Sequence, residues 1–155
     1  MLFKGTFILF LASIPLILAC NNGNNPEADL RSRSSKAYEY VTSGDWKQVH
    51  KFLSPSFQEY CPIVIYENKN VKGMAKLNEM LGIPEGDQLT FTVTDISVTD
   101  AEGQVYIDIY YRDKLLDLGQ SGAPRNWILE NGEWWSNPPD WEKECPMPSP
   151  AITSS

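Results

Sequence analysis

The sequence is poor in the groups from which most active centres are assembled. It has one histidine, His50, and three cysteines with no C-x-x-C pair, which leaves little from which to build a zinc site. There is no Gly-rich phosphate loop and no constellation around a serine or cysteine nucleophile. Basic residues are outnumbered, 13 Lys and Arg against 20 Asp and Glu for a net charge of −7, and they form no cluster. That argues against nucleic acid, whose affinity comes largely from cations on phosphates, and against an anionic-lipid patch. Long apolar runs are missing too: the longest, Phe7 to Leu18, covers 12 residues, where a spanning helix needs roughly twenty. No internal repeat is visible. What is present is 42% hydrophobic and 12% aromatic residues, enough at this length for one core and one domain.

The short apolar run has a function of its own. Met1 and Lys4 precede it, as in a cleavable export signal. It ends in Ile17-Leu18-Ala19-Cys20, which resembles the lipobox of bacterial lipoproteins. The resemblance implies cleavage after Ala19 and a diacylglycerol on the Cys20 thiol, usually with a further acyl group on the new N-terminus. Two or three chains anchor stably where one does not. The expected lipid partner is therefore the membrane itself, through Cys20, in a bacterial cell envelope and outside the cytoplasm. Removal of residues 1–19 takes away Lys4 and no acid, so the mature chain of 136 residues carries −8.

Beyond Cys20 only Cys61 and Cys145 remain, an even pair in an exported chain. An oxidising compartment makes a disulfide between them the default, two free thiols being the alternative.

The expected organisation has four parts. Residues 1–19 are signal. Residues 20–34 are a lipidated Cys and a polar tether, without periodicity and with Gly and Pro. Residues 35–146 are the folded domain, and 147–155 a tail with no apolar pattern. Within the domain a first helix is expected from Ser35 to Thr42, stopped at Ser43-Gly44. A second starts at Asp45, with Trp46, Val49, Phe52 and Leu53 as its stripe, and ends at Ser54-Pro55. Phe57 to Tyr66 reads as a short strand or turn. Val71 to Leu81 reads as a third helix with Met74, Leu77, Met80 and Leu81 inward.

From Gln88 the period switches to two. Leu89, Phe91 and Val93 alternate on odd numbers, Ile96 and Val98 on even ones. An extra residue near Thr94-Asp95 repairs the phase, the mark of a β-bulge and a bent strand. A turn over Asp100 to Gly103 then sets Val98 against Val105, Ile96 against Ile107, Val93 against Ile109 and Phe91 against Tyr111. The opposite face carries Tyr106, Asp108 and Tyr110. Asp113 to Pro124 is an irregular loop. Asn131-Gly132 predicts a type I′ hairpin pairing Leu129 with Trp134 and Ile128 with Trp135.

Helix, helix, short strand, helix and a bent sheet ending in Trp127-Ile128-Leu129-Glu130-Asn131-Gly132-Glu133-Trp134-Trp135 is an order that resembles the nuclear transport factor 2-like superfamily, also called cystatin-like or SnoaL-like. Tyr40-Val41, Gly44-Asp45-Trp46 and Leu53-Ser54-Pro55 with Phe57 carry the rest of the likeness. It implies an α+β fold, N-terminal helices packed on a strongly bent antiparallel sheet that forms a cone. It implies little about activity, because fold is not function.

In enzymes of that superfamily carboxylates, Tyr or His project into the cone. Here the inward strand face holds no carboxylate and no histidine, only the Tyr111 hydroxyl. The candidate ligand pocket is therefore His50, Phe91, Asp95, Tyr111 and Trp127, with Asp95 included because bulges re-aim side chains. Tyr106, Tyr110, Ile128 and Trp135 form a candidate outer-face interface. The expectation is a non-catalytic binding or interaction module with no cofactor and no metal. Its partner is a second copy, another envelope protein or a small apolar ligand in the cone. The alternative is an isomerase or hydrolase using His50, Asp95 and Tyr111.

Overall fold

The computed structural model describes residues 25–118 and 123–146. The signal, Cys20 and the tail from 147 onward lie outside them. Helix α1 spans Pro26–Ser43, so it begins nine residues before the expected start at 35, inside the stretch read as tether. The reason is local. Asn25 Oδ1 accepts from the Glu27 and Ala28 N–H groups, Pro26 presets the first turn, and Glu27 and Asp29 complement the helix dipole. Leu30 and Ser34 on the added turns are fully buried. Gly44, at φ 71°, closes α1 as the sequence predicts.

Helix α2 is short, Trp46–His50, with Asp45 capping the Gln48 N–H. The chain then runs beside the sheet: Ser136 N–H donates to the Phe52 carbonyl (2.8 Å), and Ser54 N–H donates to the Ser136 carbonyl (2.9 Å). The region Phe57 to Tyr66 is not a strand. Helix α3 (Pro55–Tyr60) opens on Ser54, whose Oγ accepts from Phe57 N–H, and on Pro55 at its first position. Helix α4 follows over Ile63–Leu81, eight residues longer at its start than expected. Met80, expected inward, is 68% exposed.

The sheet has the order β1-β2-β4-β5, with a short β3 also on β2. Its strands are β1 (Thr90–Thr99), β2 (Glu102–Tyr111), β3 (Lys114–Leu115), β4 (Arg125–Glu130) and β5 (Glu133–Ser136), all neighbours antiparallel. The bulge falls between Val93 and Asp95, where the phase change put it. The register differs by two residues: Val98 faces Gly103, Ile96 faces Val105, Val93 faces Ile107 and Phe91 faces Ile109. The turn is Asp100-Ala101 alone, with Asp100 at φ 54°, and Glu102 and Gly103 belong to the strand. A shift of two keeps every side chain on its face, so the inward set survives the correction. The last hairpin has the expected pairing, with Asn131 and Gly132 both at positive φ.

Gly103 has a different use from a turn. A Cβ there would collide with the Leu30 side chain and lie 3.1 Å from the Trp134 ring. The missing side chain is what lets α1 settle on β2. The last element, α5 (Trp141–Glu144), leads into Cys145, which is bonded to Cys61 across 84 residues with Cα atoms 5.7 Å apart. The expected disulfide is formed. Among the described residues no helix is long and apolar enough to cross a membrane.

Candidate functional site

The bulge bends β1 and β2 over the helices, and a cavity of about 590 Å³ opens between them. Its apolar wall comes from Val41 of α1, Trp46 and Val49 of α2, Met74 of α4, and Phe91, Ile107 and Trp127 of the sheet. A second cavity of about 430 Å³ adjoins it and shares Met74, Phe91, Ile107 and Arg125. Its remaining lining is Leu77, Met80, Leu81, Ile109 and Leu118. A smaller cleft of about 260 Å³ lies at the C-terminal end of α1, and its carboxylate, Asp87, is already held by Tyr111 and Arg112.

The polar groups of the main cavity gather at one side. Tyr38 projects from α1, and burial of its hydroxyl pushes its pKa up to about 12, against the opposing pull of the neighbouring Arg125 guanidinium. Tyr66 projects from α4. Burial raises its phenol far above the ordinary value, with the Glu144 carboxylate and Tyr38 adding to the rise. Trp127 is 1% exposed, and its Nε1–H finds no acceptor. A buried donor left unpaired costs about 1–3 kcal/mol. The acids nearby are engaged: Glu144 pairs with Lys69, and Asp140 Oδ1 accepts from Lys143 N–H at 3.0 Å.

Of the five expected pocket residues the structure brings two together, Phe91 and Trp127. His50 is turned the other way. It is buried, its Nε2 is 2.8 Å from the Cys61 carbonyl oxygen, and its ring lies 5.4 Å from that of Tyr66. The disulfide cluster, not the cone, is its surroundings. Asp95 is exposed, and its Oδ1 accepts from the adjacent Ile96 N–H (2.9 Å), so the carboxylate stabilises the bulge itself. Tyr111 donates to Asp87 Oδ2 at 2.6 Å, and Arg112 reaches the same oxygen at 2.8 Å. The Tyr111 bond, followed by that of Arg112, holds the Asp87 carboxyl below its usual range.

The polar residues of the site, Tyr38, Tyr66 and Arg125, were not singled out by the sequence. Tyr38 sits within the first expected helix, and Arg125 opens β4, just beyond the expected irregular loop. Nothing in their spacing marks them as neighbours.

On the outer face Tyr106, Tyr110 and Ile128 are half-buried. Trp135 is already covered: the Arg33 guanidinium lies 4.5 Å from its ring centroid, and its Nε1–H donates to the Glu130 carbonyl at 3.4 Å. The free apolar area there is smaller than the alternation predicts. Among the described residues no group of His, Cys, Asp and Glu is placed to hold a metal ion.

No family model matches the chain, and no curated protein matches it in sequence. Solved structures do resemble it in shape. One, from Campylobacter jejuni, is named as an NTF2-like transpeptidase; it superposes with a TM-score of 0.50 at 11% identity, over 74% of this chain and 98% of that one. Another, an NTF2-like protein of unknown function from Cytophaga hutchinsonii, gives a TM-score of 0.39 at 14% identity over 69% of this chain and 83% of that one. The bent antiparallel sheet, the helices against its concave face and the first of these superpositions together identify the chain's fold as nuclear transport factor 2-like.

Proposed function

We propose that this chain is a lipid-anchored binding domain of a bacterial envelope, held outside the cytoplasm by acylated Cys20, whose cone receives a small and largely apolar molecule. The observation that carries the reading is the cavity of about 590 Å³, walled by aliphatic and aromatic side chains with a few polar ones, Tyr38, Tyr66 and Arg125 among them. That composition is characteristic of small-molecule pockets. The groups an acid–base mechanism would call on are occupied elsewhere: His50 with Cys61, Asp95 with its own bulge, Tyr111 with Asp87. General acid–base catalysis needs a titratable group within reach of the substrate. The alternative that rests on His50, Asp95 and Tyr111 loses its acid–base groups to these contacts.

Anchoring and binding are tested separately. Expressed from its full sequence in a bacterial host, the protein partitions into the detergent phase with acyl mass on Cys20, and Cys20→Ser moves it to the aqueous phase. Recovery of the unsubstituted chain with Met1 intact and no acyl mass sinks the anchor. For binding, tryptophan fluorescence is followed while small amphiphiles are titrated in, because Trp46 and Trp127 line the cavity. Saturable quenching lost on Phe91→Trp, which fills the space, supports the pocket. Quenching that survives that substitution unchanged removes it.

A further inference from the structure

The cavity lining is mixed in its polar side chains, with Tyr38, Asn70, Arg125, Ser136 and Lys143 beside the carboxylates of Asp140 and Glu144. Arg125 supplies a guanidinium, and Tyr38 a hydroxyl whose oxygen faces Arg125 and whose proton remains to give. The two described carboxylates on the same lining, Asp140 and Glu144, already accept from Lys143 N–H and Lys69. Arg125 is the charged side chain that both cavities share, and a guanidinium fork matches a carboxylate in plane and spacing.

Arg125 also lines the second cavity. Beyond it that slot is walled by Leu77, Leu81, Ile109, Leu118 and two thioethers, Met74 and Met80, with Phe91 at the junction. Unbranched methionines adapt to an irregular guest. The charge therefore stands between a polar corner and an aliphatic slot.

We infer that the cone takes an aliphatic carboxylate, its head on Arg125 and Tyr38 and its alkyl chain in the Leu/Met slot. This rests on the reading of the cone as a binding pocket. A hydrogen-bonded charged head discriminates a carboxylate from a neutral alcohol of the same length by roughly ten- to a hundredfold.

The test uses the full chain carrying Cys20→Ser, so that no acyl group of its own competes, with decanoate, decan-1-ol and acetate as probes and tryptophan fluorescence as readout. The expected result is saturable decanoate binding at least tenfold tighter than decan-1-ol, and no binding of acetate. Arg125→Gln brings decanoate down to the alcohol's affinity while the thermal midpoint stays in place. Tyr38→Phe, which keeps the ring, gives a smaller loss in the same direction and serves should the Arg125 variant not fold. Equal binding of decanoate and decan-1-ol overturns the carboxylate assignment and leaves the pocket. Acetate binding as tight as decanoate overturns the tail's placement. Binding of neither decanoate nor decan-1-ol overturns the pocket reading itself.

Discussion

The described residues form two hydrophobic clusters, and they are held by different means. The sheet-side cluster joins Leu30 and Ala37 of α1 to Ile96, Val105, Ile107, Trp127 and Trp134. Its elements are long, α1 with 18 residues and β1 and β2 with 10 each, and their hydrogen bonds and alternation fix which side chains point inward. The helix-side cluster gathers Trp46, Val49, Leu53, Phe57, Tyr66 and the two half-cystines. Most of it hangs on helices of 5, 6 and 4 residues, each too short to persist alone. Two things hold them: aromatic rings edge to face, Phe57 against Trp141 at 5.4 Å and against Tyr66 at 6.3 Å, and the Cys61–Cys145 bond. Between the clusters the packing does not close. The cavity draws Ala37, Ile107 and Trp127 from one and Trp46, Val49, Leu53 and Tyr66 from the other. The site is the seam between a self-supporting half and a stapled one.

Cutting the staple is the strongest way to break this comparison. Cys61→Ser with Cys145→Ser reopens a loop of 84 residues and should cost about 4 kcal/mol in denaturant unfolding, a large share of what a domain of this size has. The loss should be uneven. Hydrogen exchange should rise first in α3, α5 and the start of α4, while β1 and β2 stay protected. Uniform loss across both clusters would make the two halves one cooperative unit and end the distinction.

Leu30 comes next, because it tests the part of α1 that sequence alone gave to the tether. It is fully buried against the sheet. Leu30→Ala should cost about 3 kcal/mol, within the range for deep leucines. A loss below about 0.5 kcal/mol, the size of an ordinary surface change, would return residues 26–34 to a tether.

How much was legible follows the same division. The sheet-side half was read well because period two, one phase slip and an Asn-Gly turn overdetermine it. Two differences fall there: α1 begins nine residues before its expected start, and the register is off by two because four residues are assigned to a turn that uses two, which costs no face. The helix starts differ from expectation for one reason met repeatedly. Asn25-Pro26, Ser54-Pro55 and Cys61-Pro62 each precede a helix, with the prolines of the first two at the first helical position. Ser54-Pro55 reads as the end of the helix before it, and Pro26 as part of the tether, whereas the same residue presets a first turn. The site was the least legible part. Tyr38 and Arg125 lie 87 positions apart, and only the closing of the sheet over α1 brings them together. Asp95 shows the converse: the bulge was placed correctly, but its carboxylate turns to the next N–H instead of into the cone.

A smaller effect sharpens the sheet-side account. Gly103→Ala places a methyl against Leu30 and near Trp134, and overpacking of that kind should cost about 1–3 kcal/mol. In a chain already carrying Leu30→Ala, the same change should cost much less, since the colliding side chain is gone. Additive costs, measured by chemical unfolding of the two single variants and the double, would mean that Gly103 is required for its backbone instead.

The smallest effect is read at high pH, on the seam itself. Burial raises the Tyr38 phenol to about 12, whereas in the unfolded chain it ionises near 10. Below that value both states hold the proton, and Tyr38 adds no pH dependence. Above it the unfolded state releases the proton while the folded state keeps it, so stability falls as pH rises from about 10 toward 12. Tyr38→Phe removes that contribution and should flatten the decline, with Tyr66 left to supply the remainder from the same wall. In an absorbance titration of the phenolates, the variant should lose a late-titrating group and leave the early ones unchanged. If the group lost titrates early, the Tyr38 hydroxyl stands in water, and the polar corner beside Arg125 loses the burial that would let it discriminate one ligand from another.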